Sequence, residues 1–143
     1  MARWNTVTAM AGTEALDVLA NIPLFSKLST RQIRRLLKGS SQDTYEAGTT
    51  IVREGGHSTS LFIIVEGKAR IERDGVEISQ RGPGEFFGEV SMIDGRVRSA
   101  SVIAATPITC VVVYRDALHK LVLSEPAAAW TLLQSLAARL RGE

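Results

Sequence analysis

The sequence predicts a single, mainly-β domain whose strands are preceded and followed by helices. Between residues 44 and 114, short β-rich runs alternate with glycine-containing turns. The segments on either side instead carry apolar residues at helical spacing. The 143 residues suit one domain with an adequate core, and no shift in composition divides them. Many short strands joined by regular turns are typical of a sandwich, a barrel or a roll.

Two helices are predicted within residues 13–40, after a flexible start at 1–12. The first begins at the capping residue Thr13 and ends at Ala20. The second follows residues 29–32, whose Ser-x-x-Gln pattern is that of a capping box. Apolar residues at helical spacing come next, at Ile33, Leu36 and Leu37.

The β region, 44–114, contains six predicted strands. They lie at 49–52, 61–65, 68–73, 76–79, 102–105 and 108–114. The pair Asp74-Gly75 between two of them is a strong signal for a two-residue hairpin. Further turns are predicted at 54–56, 66–67 and 82–84.

Two C-terminal helices are predicted within residues 116–141. Asp116 is interpreted as the cap of the first, which ends at the Ser-Glu-Pro interruption, 124–126. The second helix, 127–141, carries an apolar stripe that we expect to face the strands. The stripe consists of Trp130, Leu133, Ala137 and Leu140.

The composition argues against several kinds of site and partner. The 17 basic and 15 acidic residues give a net charge of +2, too balanced for nucleic acid as the main partner. Cys110 is the only cysteine, which excludes an internal disulfide and a cysteine-based metal site. It lies in an apolar run and is expected in the core. His57 and His119 lack the spacing of zinc ligands.

The sequence also predicts no catalytic site and no membrane-spanning segment. The serines have no histidine placed by a known nucleophile motif, and Glu89 with Asp94 is not an obvious acid and base pair. Phosphodiester hydrolysis would need metal ligands that the sequence does not offer. No apolar stretch approaches the roughly 18 residues needed to span a bilayer. The start of the chain lacks the continuous apolar run that is typical of a signal peptide. A cytoplasmic location is therefore expected.

The chemically informative stretch is 86–102. Gly88 frees the backbone to turn and lets a ligand approach closely. Residues 89–92 can form one helical turn, whose N-terminus attracts anions. Arg98 is expected at the start of the next strand, with a guanidinium suited to a singly charged phosphate. Glu89 is compatible with a bound anion if its carboxylate accepts a hydrogen bond from a hydroxyl such as a ribose 2′-OH.

This stretch resembles the phosphate-binding cassette of the cyclic nucleotide-binding domain family, found in kinase regulatory subunits, gated channels and catabolite activator proteins. Two runs match its order and spacing: Phe87-Gly88-Glu89-Val90-Ser91 and Arg98-Ser99-Ala100-Ser101-Val102. Weaker matches at 23–25, 46–48, 54–55 and 62–67 extend the likeness over about 22–125. Val97 stands where many members have proline, and Ser91 where alanine or glycine is commoner. Neither change removes a group that touches the ligand in the family.

The resemblance implies an eight-stranded β-roll, of double-stranded β-helix or jelly-roll type, between N-terminal and C-terminal flanking helices. It implies a cAMP or cGMP ligand, no cofactor, no metal, no catalytic residue, and C-terminal helices that move on binding. cAMP is favoured because Ser99 stands where threonine accompanies cGMP preference in kinases of the family. The residues implied to contact the nucleotide are Phe87, Gly88, Glu89, Val90, Ser91, Arg98, Ser99 and Ala100.

Several of these residues also have a purely structural interpretation. Arg98 could form a salt bridge with Glu89, and Glu89 could merely complement a helix dipole. Ser99 could be an ordinary strand residue. Trp130 could stack on the purine or anchor the final helix, and the anchor is the favoured interpretation.

Three functional hypotheses follow. The domain could be a sensor that regulates an unidentified effector protein or domain through its last helix. It could instead be the regulatory part of a larger channel, transporter, enzyme or transcription factor. If the chain is complete, it ends before any helix-turn-helix, so direct nucleic-acid binding is not expected. The third hypothesis is a cupin-type barrel that binds another small ligand. Such a barrel would need a metal cluster that His57 and His119 cannot make.

Overall fold

The computed structural model describes residues 3–4 and 12–142, with side chains from Ala15 to Gly142. Its strands are β1 (Arg3–Trp4), β2 (Ser40–Tyr45), β3 (Thr50–Val52), β4 (Leu61–Glu66), β5 (Ala69–Arg73), β6 (Val76–Arg81), β7 (Phe86–Phe87), β8 (Ser101–Ala104) and β9 (Ile108–Val113). Its helices are α1 (Gly12–Ala20), α2 (Thr30–Lys38), α3 (Glu89–Asp94), α4 (Arg115–Ser124) and α5 (Pro126–Leu140). None of the helices in these ranges is long and apolar enough to cross a membrane.

The strands form two antiparallel sheets. One has the order β1-β2-β9-β4-β7 and the other the order β3-β8-β5-β6. Strands β2 to β9 are the eight antiparallel strands of a β-roll, and β1 adds a two-residue edge beside β2. The predicted mainly-β class with flanking helices is confirmed.

Strands β4 and β9 are buried on both faces, which explains their continuous apolar sequence. Alternate residues of each strand point to opposite faces of the sheet. One set packs between the two sheets, with Phe62, Ile64, Ile108, Cys110 and Val112. The other set packs against the helices, with Leu61, Ile63, Val111 and Val113. The five-stranded sheet therefore separates two hydrophobic cores.

Cys110 belongs to the core between the sheets and is fully buried, as predicted. Burial, together with the smaller effect of the nearby Asp43 carboxylate, raises the pKa of its thiol to about 12. A thiol in such surroundings stays protonated at neutral pH and acts as a small apolar side chain.

Two local motifs have the geometry that the sequence predicts. The Ser29 side chain accepts from the Gln32 amide at 3.1 Å, and the Gln32 side chain accepts from the Ser29 amide at 2.9 Å. Asp74 and Gly75 both have positive φ, 53° and 78°, between paired strands β5 and β6. Positive φ at both central residues is the requirement of a type I′ hairpin turn.

Strand β2 was not among the predicted strands, and it begins four residues before the predicted β region, 44–114. Ser40 and Asp43 are buried, 2% and 4% exposed. The Ser40 hydroxyl donates to the Leu36 carbonyl at 2.8 Å, and the Tyr45 hydroxyl donates to Asp43 at 3.0 Å. A polar strand of this kind has no apolar alternation for sequence analysis to detect. The short strand β7 was missed as well.

The helix boundaries differ from the predicted ones at both ends of the chain. Tyr114, not Asp116, is the N-cap residue of α4, and Asp116 lies in the first helical turn. The predicted flexible segment, 1–12, lies outside the described residues except for Arg3, Trp4 and Gly12. Arg3 and Trp4 pair with β2, and Gly12 begins α1.

The prediction that the apolar stripe of the last helix faces the strands was wrong. The buried residues of α5 are Ala128, Leu132 and Ser135. Trp130 is 65% exposed, so it does not anchor the helix. Small residues such as Ala128, which is 0% exposed, allow α5 to pack closely on its other face.

The start of α5 is held by an ionic cluster at Glu125. The Glu125 carboxylate accepts from Arg31 at 2.7 Å and from Arg35 at 2.6 Å, both on α2. These hydrogen bonds lower the pKa of Glu125 to about 2. Because Glu125 is the N-cap residue of α5, the cluster fixes the point from which that helix leaves α4.

Candidate functional site

A cavity of about 230 Å³ opens between the inner surface of the four-stranded sheet and helix α3. All eight residues predicted to contact a ligand line it: Phe87, Gly88, Glu89, Val90, Ser91, Arg98, Ser99 and Ala100. The cassette is therefore assembled in one place. Its members differ in exposure, from the buried Arg98 and Phe87 to the exposed Val90 and Ser99.

The other half of the lining was not predicted. It consists of Val52, Ile71, Arg73, Ile78, Ser79, Arg81, Phe86 and Val102. Most of these residues lie on β3, β5 and β6, outside the stretch 86–102. Strand periodicity predicts which residues share a face, but it does not say which sheet closes over the cassette. Only Phe86 and Val102 lie within the stretch that sequence analysis singled out.

Gly88 brings two backbone segments into close contact. It has φ of 93° and precedes α3 as its N-cap residue. A Cβ atom at this position would lie 2.5 Å from Nη1 of Arg98 and 2.6 Å from the Ser60 carbonyl oxygen. Glycine is therefore required here both for its backbone conformation and for space.

Arg98 lies in the loop before β8 and not at the start of that strand, which begins only at Ser101. Its backbone pairs instead with the turn after β3. The Gly55 amide donates to the Arg98 carbonyl at 2.8 Å, and the Arg98 amide donates to the Gly56 carbonyl at 2.9 Å. These two bonds replace the strand pairing that we expected and fix the point from which the Arg98 side chain enters the cavity wall.

The Arg98 side chain is 4% exposed and is held by three acceptors. Its guanidinium donates to the Ser60 carbonyl at 2.6 Å, to the Ser58 hydroxyl at 3.0 Å and to the Gly88 carbonyl at 3.2 Å. Burial lowers the pKa of Arg98, and the charge of Glu89 raises it. Arginine nevertheless stays charged in proteins, so the cavity wall carries a pre-oriented cation.

Glu89 forms its ion pair with α5 and not with Arg98. Its Oε1 lies 3.7 Å from Nη2 of Arg139, and the Glu89 side chain is 17% exposed. Arg139 also lies over the ring of Phe86, with its Cζ 5.6 Å from the ring centroid. No motif in the sequence marks Arg139, since its contacts arise only when α5 folds back to the cavity.

Phe87 supports the site from within the core. Its ring stacks on that of Phe62 at a centroid distance of 5.0 Å and an interplanar angle of 8°. The Cζ of Arg98 lies 6.0 Å from the centroid of the Phe62 ring. Phe87 therefore helps to fix the wall that carries Arg98. Arg96, two residues earlier, is exposed.

Chemically, the cavity combines a buried guanidinium, a partly buried carboxylate and an apolar wall. The first turn of α3 adds backbone N–H groups that precede the first hydrogen bond of the helix, from Met92 to Gly88. This arrangement suits a small ligand with one anionic group and a neighbouring hydroxyl.

Comparison with known proteins supports the family resemblance found in the sequence. The family model of the cyclic nucleotide-binding domain matches residues 42–125, more than half of the chain. A CRP-like cAMP-activated global transcriptional regulator of Mycobacterium tuberculosis is 33% identical over 87% of this chain and 58% of its own length. A cyclic nucleotide-gated potassium channel of Rhizobium etli is 31% identical over 88% of this chain and 35% of its own length.

The fold is also found in solved structures. The N-terminal domain of a transcriptional regulator from Streptomyces coelicolor superposes with a TM-score of 0.78 at 33% identity, over 88% of this chain and 94% of that one. The curated relatives are longer, and the chain spans 58% of the Mycobacterium tuberculosis regulator and 19% of a Bradyrhizobium diazoefficiens glutaminase. With its fold, its cassette and these matches taken together, the chain belongs to the cyclic nucleotide-binding domain family.

Proposed function

We propose that this domain is a cyclic nucleotide sensor that binds cAMP at least as tightly as cGMP and shifts α5 when it binds. The observation that carries the proposal is the placement of Arg98 and Glu89 on the wall of one cavity beside α3. The ligand acts as a signal and not as a cofactor. We further propose that the domain has no catalytic residue and no metal, works in the cytoplasm, and acts on an effector protein or domain and not on nucleic acid.

The chemistry of the ligand follows from these two side chains. The cyclic phosphate carries one negative charge, which the Arg98 guanidinium and the first-turn amides of α3 would neutralise. The Glu89 carboxylate would accept a hydrogen bond from the ribose 2′-hydroxyl. Apolar residues such as Val52 and Ile71 line the same cavity and would pack on the purine.

The choice between the two nucleotides depends on Ser99, which lines the cavity and is exposed at its rim. Calorimetric titration with cAMP and cGMP, side by side, tests the proposed function. We expect both to bind and cAMP to bind at least as tightly. If the Ser99 hydroxyl contacts only phosphate, Ser99→Ala weakens both ligands alike. A clear cGMP preference that disappears in Ser99→Ala would contradict the proposal, because it would show that the hydroxyl contacts the guanine.

The proposed movement of α5 is supported by its packing. An apolar cavity of about 280 Å³ remains between α3, α4 and α5, lined among others by Met92, Leu118 and Leu132. Side chains around an unfilled space lose dispersion contacts, so a helix beside it is a weakly held unit. Pro126 begins α5 directly after the Glu125 cluster, which provides a fixed pivot.

Amide hydrogen exchange should detect this coupling. On addition of cAMP, we expect slower exchange in both the cassette, 86–102, and the last helix, 127–141, with smaller changes elsewhere in the strands. The reason is that a ligand in the cavity adds contacts that favour one position of α5. Protection limited to 86–102 would show that α5 is not coupled to the site.

A further inference from the structure

The last turn of α5 lies against the rim of the cavity. Arg139, in that turn, pairs with Glu89 at 3.7 Å and lies over the Phe86 ring at 5.6 Å from its centroid. Glu89 and Phe86 both line the cavity. A single side chain of α5 therefore contacts the cavity lining at a carboxylate and an aromatic ring.

The Arg139 guanidinium is the cation that forms an ion pair with the Glu89 carboxylate. Its side chain is only 17% exposed, whereas that of Arg139 is 36% exposed. A partly buried carboxylate has lost much of its water and is oriented by the donors that remain. Arg98 acts on Glu89 through its charge, while its own N–H groups donate to Ser58, Ser60 and Gly88.

We propose that Arg139 is a positioning residue for nucleotide binding. It orients the Glu89 carboxylate toward the ribose 2′-hydroxyl and transmits the occupancy of the site to α5. This inference rests on the proposed function. A nucleotide bound at Glu89 displaces water from the ion pair, and the lower local dielectric strengthens the attraction. Because linkage is reciprocal, an intact ion pair favours nucleotide binding to the same degree.

The test is a set of titrations with cAMP and 2′-deoxy-cAMP on the wild type, Arg139→Gln, Glu89→Gln and the double variant. Arg139→Gln is expected to weaken cAMP binding about two- to fivefold, the range of an exposed or partly buried ion pair. It should affect 2′-deoxy-cAMP less. The double variant should bind cAMP no more weakly than Glu89→Gln alone, because Arg139 acts through Glu89.

Two further variants separate this role from a general effect on the helix. Arg139→Lys keeps the charge and should recover part of the lost affinity. Arg141→Ala changes an exposed residue two positions further on and should leave binding unchanged. Hydrogen exchange should also show that cAMP protects 127–141 less in Arg139→Gln than in the wild type, whereas it still protects the cassette.

Three results would overturn the role of Arg139: unchanged or tighter cAMP binding in Arg139→Gln, equal losses for both nucleotides, or additive losses in the double variant. A wild type that binds neither nucleotide would instead remove the proposed function, and the role of Arg139 with it. Failure of the proposed function is therefore distinguishable from failure of the Arg139 role, because only the former is seen with the wild-type protein alone.

Discussion

Arg98→Ala is expected to weaken cyclic nucleotide binding by about 30- to several-thousand-fold. This range corresponds to about 2–5 kcal/mol, the usual cost of truncating one partner of a buried charge pair. Arg98 is 4% exposed and its guanidinium is already oriented by protein acceptors, so little water is available to replace it. Calorimetric titration of the purified variant with cAMP gives the measurement.

The fold of this variant must be followed separately. Arg98 also satisfies the carbonyl groups of Ser60 and Gly88, and a buried carbonyl without a donor costs about 1–3 kcal/mol. We therefore expect a lower midpoint of thermal unfolding as well. Arg98→Lys keeps the charge without the planar fork and should lose less affinity. Arg96→Ala, at an exposed neighbour, is the control and should bind normally. Unchanged affinity in folded Arg98→Ala would refute the phosphate role.

Gly88→Ala is expected to disrupt both the site and the stability of the domain. The new methyl group would lie 2.5 Å from the Arg98 guanidinium and 2.6 Å from the Ser60 carbonyl oxygen. Both distances are too short for a carbon atom, so the Arg98 side chain must move and the backbone at Ser60 or at residue 88 must shift as well. We expect loss of at least about tenfold in cAMP affinity and destabilisation of about 2–4 kcal/mol, from the left-handed backbone and from overpacking together.

Gly84→Ala is the matched control for this substitution. Gly84 has a similar φ of 84°, but a Cβ atom there would meet nothing within 4 Å. It should therefore show the cost of the backbone conformation alone, about 1–2 kcal/mol, with normal nucleotide binding. Denaturant unfolding and titration of both variants give the comparison. Equal effects of the two substitutions would mean that the close approach at Gly88 does not matter.

The elements that sequence analysis predicted correctly are those whose requirements are local. The capping box of Ser29 and Gln32, the Asp74-Gly75 turn and the glycine at position 88 each reflect the backbone geometry of a few neighbouring residues. The cassette was recognisable for the same reason, because its spacing is contained within 86–102. Strand β2 was missed, since its polar residues Ser40 and Ser41 find their partners only in the folded chain.

The sequence by itself determined the mainly-β class and the eight cassette residues that line the cavity. The tertiary structure alone decided which acceptors hold Arg98, which strands close the far wall, and which face of α5 is buried. Helical periodicity allows more than one face of an alanine-rich helix to pack inward. The choice was made by contacts between distant segments: the cluster of Arg31 and Arg35 on Glu125 at one end of α5, and Arg139 on Glu89 at the other. Such contacts depend on how separate elements meet in space, which spacing within one element does not encode.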